Sequence, residues 1–506
     1  MILAANKNNE YISNKQLLLL FFPLLAIIIL WFGHWQTQVI YGDDLGIYES
    51  YRTKTDLDII LESQKYRPVN TWLIRLLIAT LGNHVSLYFY FNAVMQTLCA
   101  LIFIKIADLF LRNIFFSCLL GLLVGLSRFN FYNITQLYNG GAMEVSAVLF
   151  FLGSLYYWLK TTRPQNTYDQ NFRSLLMSIL LANLCIYTHE RYIVLFLFML
   201  GALFIPTLSK LKAVHKRSLA TLLVGSVAIN YLIKQQVYHI SFFMGTGNTH
   251  IRFSPASAAK YLQDALLDLI QFNSGPEYLS GYPYLWLSAF YKSLPIITTL
   301  FILLTVTVYL VVKNKNRPQF IGNANSGYVV LALFGLLLLT IGPAVVTIRL
   351  EQRWLQAAFA VLLIIVAAAI GSVAYNKMVA GIGITLFVAI FLISERNYLD
   401  AGVPNIYLSS SVRKAKLYKQ AIDGGVIKPP TKHLIISADH MSPDDQDELR
   451  WVLQNGQFFE FYHVGRKTIQ FADSSALTGI LAQPAIFPSA SQVIGQRGDS
   501  VCNIYP

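Results

Sequence analysis

Charge is scarce in this sequence. Only 13% of its 506 residues are Asp, Glu, Lys or Arg, while 55% are apolar. A soluble globular chain carries about 25% charged residues, so a water-surrounded fold is excluded by composition alone. Cysteine is scarcer still. Of the four, Cys99, Cys118, Cys185 and Cys502, three lie inside apolar runs and none has metal-ligand spacing, which excludes a disulfide framework and a zinc site. The sequence offers no phosphate-cradling glycine loop, no Ser-His-Asp arrangement and no nucleotide fingerprint. It also lacks internal repeats and low-complexity tracts. The first apolar run, Gln16 to Trp35, has no small-residue cleavage site after it and reads as a retained span rather than a signal peptide.

What is present is a succession of apolar runs. A bilayer core about 30 Å thick needs around 20 apolar residues in helix. Such runs recur at 16–35, 86–110, 114–128, 142–160, 174–188, 191–209, 218–233, 287–312, 328–347, 354–374 and 378–394, about eleven spans in all. Several are short for a perpendicular crossing, so one or two read as broken or re-entrant. The net charge of +13 does not imply nucleic acid, because the basic residues sit in short loops between spans. With Lys7 and Lys15 on the cytoplasmic side, every second loop is basic: Arg112, then Lys160, Arg163 and Arg173, then Lys210, Lys212, Lys216 and Arg217, then Lys313, Lys315 and Arg317, then Lys377. An odd number of spans places the tail outside, together with loops 36–85 and 234–286 and the short turns near His189 and Arg349.

Two segments of the outer loops read as interfacial helices. After Arg67-Pro68, residues Val69, Trp72, Leu73, Leu76, Leu77 and Thr80 recur at helical spacing, with Pro68 suited to the first turn. After Ser254-Pro255, Leu262, Leu266, Leu269 and Ile270 are expected on one face and Lys260, Asp264 and Asp268 on the other. The chain therefore reads as an all-α polytopic membrane protein over 1–394 with a small C-terminal α/β extracytoplasmic domain at 395–506. In that tail, Lys432 to Ala438 reads as a buried strand, and Ser442-Pro443-Asp444-Asp445 opens a capped helix. Phe458 to Val464, Gly465-Arg466 and Lys467 to Ala472 read as a hairpin.

Ionisable residues at span ends are the candidates for chemistry. Asp43 and Asp44 lie just beyond the first span. Adjacent carboxylates can raise one another's pKa to give a base nearer neutrality, or hold a divalent cation such as Mg or Mn; the bland reading is a solvated charged turn. Asn133-Ile134-Thr135 matches a glycosylation sequon without further support, and Asp444-Asp445 is explained by helix capping.

An acidic pair after the first span, a long outer loop with an Arg-Pro motif and an interfacial helix, many spans and an outer C-terminal domain together resemble the GT-C integral membrane glycosyltransferases, which take sugars from polyprenyl-phosphate carriers. The motif support is confined to Asp43-Asp44 and Arg67-Pro68, whereas the architectural likeness spans the chain. The resemblance implies that Asp43 or Asp44 is the base on an acceptor hydroxyl. It also implies a donor-phosphate site, for which guanidinium is chemically suited. Arg67, His189, Arg191, Arg349 and Arg353 are its candidates, with Glu144, Glu190 and Glu351 as further substrate-contacting residues. Ion pairs capping the spans are the structural alternative for each. The implied partners are a polyprenyl-phosphate-linked sugar donor, a surface-glycan or lipid-linked acceptor such as O-antigen or lipopolysaccharide, membrane lipids, a flippase and a donor-synthesising enzyme. The implied location is a bacterial inner membrane with the tail in the periplasm. A polysaccharide polymerase or ligase, a lipid-linked-glycan flippase and a scaffold or sensor are the rivals. Mid-membrane charges and inverted repeats would mark a flippase, a large catalytic middle loop would mark a polymerase, and tolerance of change at Asp43 and Asp44 would mark a scaffold.

Overall fold

In a computed structural model the chain is described over residues 12–163, 166–203, 211–242, 254–271, 326–347, 350–373, 377–400, 406–439, 441–482, 491–497 and 500–505, with isolated helical positions at 293, 297 and 300. The first helices are α1 (Asn14–Phe32), α2 (Gly42–Thr53), α3 (Asp56–Ser63), α4 (Pro68–Leu81), α5 (Val85–Leu111), α6 (Ile114–Leu126) and α7 (Phe131–Thr135). A π-helix over Leu137–Val145 leads into α8 (Ser146–Thr161), followed by α9 (Tyr168–Thr188), α10 (Val194–Ala202), α11 (Ala213–Leu232) and α12 (Pro255–Leu269). After these come α13 (Ser326–Val346), α14 (Gln356–Val373) and α15 (Lys377–Asp400).

Helix starts follow local chemistry. Ser13 with Gln16, Thr55 with Asp58 and Thr167 with Gln170 form reciprocal capping boxes at α1, α3 and α9, and the Asn113 side chain caps α6. Pro68 and Pro255 occupy first-turn positions, where a missing N–H costs nothing.

Seven helices are long and apolar enough to cross a membrane, or eight if the pair Ile114–Leu126 and Arg128–Thr135, bent by 47°, forms one broken span. This is a multi-pass membrane protein, with fewer such helices among the described residues than the about eleven runs suggested. The run at 287–312 lies outside the described residues. Helix α10 has only nine residues, and α11 is not among the seven. The enclosed centre is the segment Gln352–Gly371, whose apolar window is wholly buried. The side chains of α5, α8, α9 and α13 pack around it in one continuous core.

A second core joins the end of α1 to α2, α4 and the C-terminal tail. Helix α15 runs to Asp400, six residues beyond the expected boundary at 394, and α16 (Ile406–Asp423) follows. The tail then forms β1 (His433–Ser437), α17 (Pro443–Val452), α18 (Gln457–Phe461), β2 (Thr468–Ala472), α19 (Ser474–Ala482), β3 (Ser491–Arg497) and β4 (Ser500–Tyr505). Its sheet has the order β2-β1-β3-β4, with β1 parallel to β2 and β3, and β3 antiparallel to β4. The expected hairpin is thus incorrect. Phe458, Phe459 and Phe461 are buried on the short α18, and β2 pairs with β1 instead.

The interfacial helices divide. On α4, Ile74 and Leu77 face the core while Trp72 is 65% exposed and Leu76 is also exposed, an outward apolar stripe suited to lipid. On α12 the expected faces are exchanged near the end: Asp268 is fully buried and Leu266 is exposed.

The π-helix depends on two glycines. A methyl at Gly140 would collide with the Asn133 carbonyl, and one at Gly141 with the Asn92 side chain. Asn92 itself donates to the Ile134 carbonyl at 3.2 Å and the Gln136 carbonyl at 2.6 Å, tying α5 to the turn before the π-helix. Gly141→Ala is expected to destabilise the protein by about 1–3 kcal/mol through overpacking. Gly225→Ala on α11, with nothing within 4 Å, is expected to be neutral or stabilising by about 0.5–1 kcal/mol. Survival of the monomer peak in size-exclusion chromatography after a heat ramp in detergent would separate the two.

Candidate active site

Beyond α1, residues 33–35 form a short 3₁₀ turn, and the chain runs extended to Tyr41. Gly42 opens α2 at φ +55°, and a side chain there would collide with the indole of Trp451. The glycine therefore permits both the turn and the close approach of the tail. Asp43 and Asp44 occupy the first turn of α2, where negative charge is favoured, but their surroundings differ. Asp43 is exposed and accepts from Trp451 Nε1 at 2.9 Å. Asp44 is half-buried, and its two oxygens accept the backbone N–H groups of Leu137 at 3.0 Å and Tyr138 at 3.1 Å, capping the π-helix. With Asp44 committed to backbone donors, the pair suits a divalent cation poorly. No group of three or more His, Cys, Asp or Glu side chains gathers to hold a metal among the described residues.

The π-helix directs Glu144 into the protein, where it is fully buried. Its carboxylate lies among three basic groups: His189 Nε2 at 3.5 Å, Arg191 Nη1 at 3.7 Å and Arg353 Nε at 3.9 Å. Arg67, the residue before α4, makes a two-pronged pair with Glu190, its Nη2 donating at 2.5 Å, while Nη1 lies 2.8 Å from Met143 Sδ. Arg353 is paired with Glu351 at 2.6 Å and donates from Nη1 to Gln136 Oε1 at 3.1 Å. Arg191 lies over the Trp354 ring, 3.9 Å from its centroid. Three arginines thus face three glutamates, a balance that burial demands because an unmatched buried charge is strongly disfavoured.

His189 belongs to this balance as a neutral group. Burial pushes its pKa down to about 4, reinforced by Arg67 and Arg191 against the opposing pull of Glu144 and Glu190. Its Nδ1 accepts the Arg191 backbone N–H at 3.3 Å, so the ring proton sits on Nε2, on the Glu144 side. Burial works to raise Glu190, and the neighbouring Arg67 guanidinium overrides it, holding that carboxyl well below its ordinary range.

Of the residues singled out in sequence, Arg67, Glu144, His189, Glu190, Arg191, Glu351 and Arg353 meet in this one network. Asp44 joins it through the π-helix it caps. Asp43 looks instead toward the tail, and Arg349 lies outside the described residues. Several participants had not been recognised. Lys234, in a second π-helix at Ile233–Val237, is buried and interacts electrostatically with Glu190 and Arg67. Its ammonium donates to the Phe242 carbonyl at 3.5 Å. A lysine inside an otherwise apolar run was the signal available for it. Gln136, Trp354 and Trp451 carried no such signal.

A second buried charge cluster was also missed. Arg128, at the break after α6, donates its backbone N–H to Glu395 Oε2 at 2.8 Å and its Nε at 3.2 Å. The guanidinium lies over Tyr398 and 3.8 Å from Asp268 Oδ1. Gln271 donates to Glu395 Oε1 at 2.5 Å. These contacts bind α12 to α15 and the α6–α7 bend.

Comparisons with known proteins add little to this geometry. No family model matches the sequence, and no curated protein does. Among solved structures, the chain is similar to the crystal structure of ArnT from Cupriavidus metallidurans in the apo state, with 12% identity and a TM-score of 0.35 over 95% of this chain and 93% of that one. A superposition that loose carries no argument about fold or function.

Removing one member of a buried pair leaves the other charged and unmatched. Glu190→Gln is therefore expected to cost about 3–5 kcal/mol, and the double variant Arg67→Met with Glu190→Met substantially less. Thermal melting of the three proteins in one detergent measures the difference. In the second cluster, burial pushes the Asp268 carboxyl up to about 7, against the pull of Arg128 and with help from Glu395. An acid with a raised folded pKa holds its proton longer when folded, so its contribution to stability falls as pH rises from about 4 to about 7. Asp268→Asn should remove that slope, melting higher than wild type at pH 8 but not at pH 4, where wild-type Asp268 remains protonated in the fold.

Proposed function

We propose that this chain is a GT-C-type membrane glycosyltransferase that moves a sugar from a polyprenyl-phosphate carrier to a glycan or lipid-linked acceptor on the extracytoplasmic face, with inversion. One observation carries the reading. The Arg191 guanidinium is more than nine-tenths buried, yet its Nη1 and Nη2 make no hydrogen bond among the described residues. Arg67 and Arg353, by contrast, are engaged by Glu190 and Glu351. A guanidinium held flat on Trp354 with terminal donors unused is suited to a phosphate oxygen arriving with a substrate. Lys234, beside the same network, supplies a second cation without geometric specificity.

Asp43 is the better base of the acidic pair, since Asp44 is bound to backbone amides and Asp43 is exposed. In this reading Asp43 takes the proton of an acceptor hydroxyl. The oxygen attacks the anomeric carbon from the side opposite the carrier, the bond from that carbon to the phosphate oxygen breaks, and its electron pair leaves with polyprenyl phosphate. Arg191 stabilises the departing charge, and Asp43 ends protonated. The apolar stripe of α4, marked by exposed Trp72 and Leu76, would place this chemistry at a lipid surface, where the carrier's headgroup resides.

Mass spectrometry of surface and lipid-linked glycans tests the reading in cells carrying the intact gene, its deletion, Asp43→Asn and Arg191→Gln. A hexose-sized unit should disappear in the deletion and in Asp43→Asn at normal expression, since a general base contributes about 10²–10⁴-fold. Arg191→Gln should lower transfer by about 10²–10³-fold. Unchanged glycans in the deletion strain would overturn the proposal.

A further inference from the structure

The tail contains a cavity of about 600 Å³ that the network above does not use. It opens where the parallel strands β1 and β2 begin, in the register His433 opposite Thr468. Its lining includes Lys432, His433, Asn455, Arg466, Lys467 and Thr468, and no carboxylate. The parallel pairing explains the concentration of positive charge: Lys432 and Lys467 each precede a strand, and the Thr468 N–H donates to the Lys432 carbonyl at 2.9 Å.

The floor of the cavity is rigidly built. Lys467 is buried, and its ammonium donates to the carbonyls of Lys428 at 2.9 Å, Thr431 at 2.7 Å and Val464 at 3.0 Å. Donating three protons requires the charged form, so a fixed positive charge remains beneath the opening. The rim is held in an unusual conformation. Gln454, Asn455 and Gly456 have successive φ values of 43°, 50° and 94°, left-handed backbone that costs the non-glycine residues about 1–2 kcal/mol each. A side chain at position 456 would collide with the Lys467 carbonyl. Lys432 and Arg466 project from this frame as exposed cations. Neither makes an ion pair among the described residues.

The rim of the cavity is joined to the acidic pair's helix by the residue before Asn455. Gln454, next to Asn455, places its side-chain amide 3.5 Å from the point where a Gly46 Cβ would stand on α2. Gly46 is three residues beyond Asp43. The turn that supplies the rim of the cavity thus also packs on the helix whose first turn carries the proposed base.

We infer that this cavity binds the acceptor through an oxyanion, the carboxylate of a uronic acid or the phosphate of a phosphorylated sugar, within a glycan. The charges recognise the anion, while His433, Asn455 and Thr468 supply hydrogen-bonding partners suited to hydroxyl groups. An acyl chain would need an apolar groove, and Ile469 is the single aliphatic side chain in the lining, which favours a glycan over a lipid. The inference rests on the reading that the acceptor is a glycan.

Binding of a labelled galacturonate oligomer and a neutral glucose oligomer of equal length tests it, with the full chain in phosphatidylcholine nanodiscs. The galacturonate oligomer should bind and the glucose oligomer should not. Affinity should fall at least tenfold in the double variant Lys432→Ala, Arg466→Ala, whose altered side chains are exposed, and should fall severalfold between 50 and 300 mM NaCl as screening shortens the reach of the charges. Failure of both the galacturonate oligomer and an equal-length oligomer carrying a phosphorylated sugar to bind at millimolar concentration, equal binding of the galacturonate and glucose oligomers, or an unchanged affinity in the double variant would each overturn the inference. Loss of binding when phosphatidylglycerol replaces phosphatidylcholine would assign the cavity to lipid headgroups and overturn it as well. A labelled oligomer carrying a phosphorylated sugar, bound in place of galacturonate and lost in the same double variant, would support the inference and identify phosphate as its oxyanion. Asp43→Asn should abolish transfer yet retain oligomer binding, so failure of the transfer reading and failure of this one are separately visible.

Discussion

A carboxylate enclosed among packed helices is tolerated only if positive charge comes to it. Glu144 occupies such a position, and much of the surrounding chain is arranged accordingly. Arg191 and Arg353 approach it from two different turns, with the neutral His189 ring beside them. Each arginine brought inward then needs restraint of its own, which explains why half-buried Glu190 and buried Glu351 lie beside Arg67 and Arg353. The π-helix that aims Glu144 inward is itself held by Asp44, so the first loop, two late turns and a distorted helix form a single electrostatic unit. In a low-dielectric interior such units behave as wholes, because the loss of any one member leaves its partners unmatched.

The second cluster applies the same logic with different stakes. Arg128, Glu395 and Asp268 join a helix break, a long span and a surface-lying helix. Polar side chains continue from this region into the core: Asn133 donates to Gln356 at 2.6 Å, and Gln356 to Gln96 at 2.8 Å. Directional contacts of this sort specify which helices are neighbours, something apolar packing between similar leucine-rich surfaces does weakly.

Much of this was legible in the sequence, and the remainder was hidden for definite physical reasons. The seven spans among the described residues, the helix after Arg67-Pro68, strand β1 and the helix after Ser442 follow from hydropathy, turn chemistry and capping, all of them local. Charges at span ends marked His189, Glu190, Arg191, Glu351 and Arg353, because such residues are costly there. Which carboxylate would face which guanidinium was not legible, since pairing depends on three-dimensional register. The π-helix escaped because a search at 3.6-residue spacing cannot register a wider turn, although Gly140-Gly141 hinted at close packing. Asp268 was assigned to the wet face by polarity, yet an arginine across the fold drew it inside. The supposed hairpin failed because Gly465-Arg466 resembles a tight turn, whereas the buried phenylalanines before it line one side of a short helix.

The contact between Trp451 and Asp43 joins residues 408 positions apart in the chain. Ribosomes add about 5–20 residues per second, so on the order of 20–80 s separate the synthesis of the two ends of this contact. Throughout that interval the first loop has already emerged while the indole that seats against Gly42 does not yet exist. A nascent or prematurely terminated chain would therefore carry its acidic pair without the indole that seats against it. That seam between the first loop and the tail can thus close only in the last stage of translation, after the helices between them have been made.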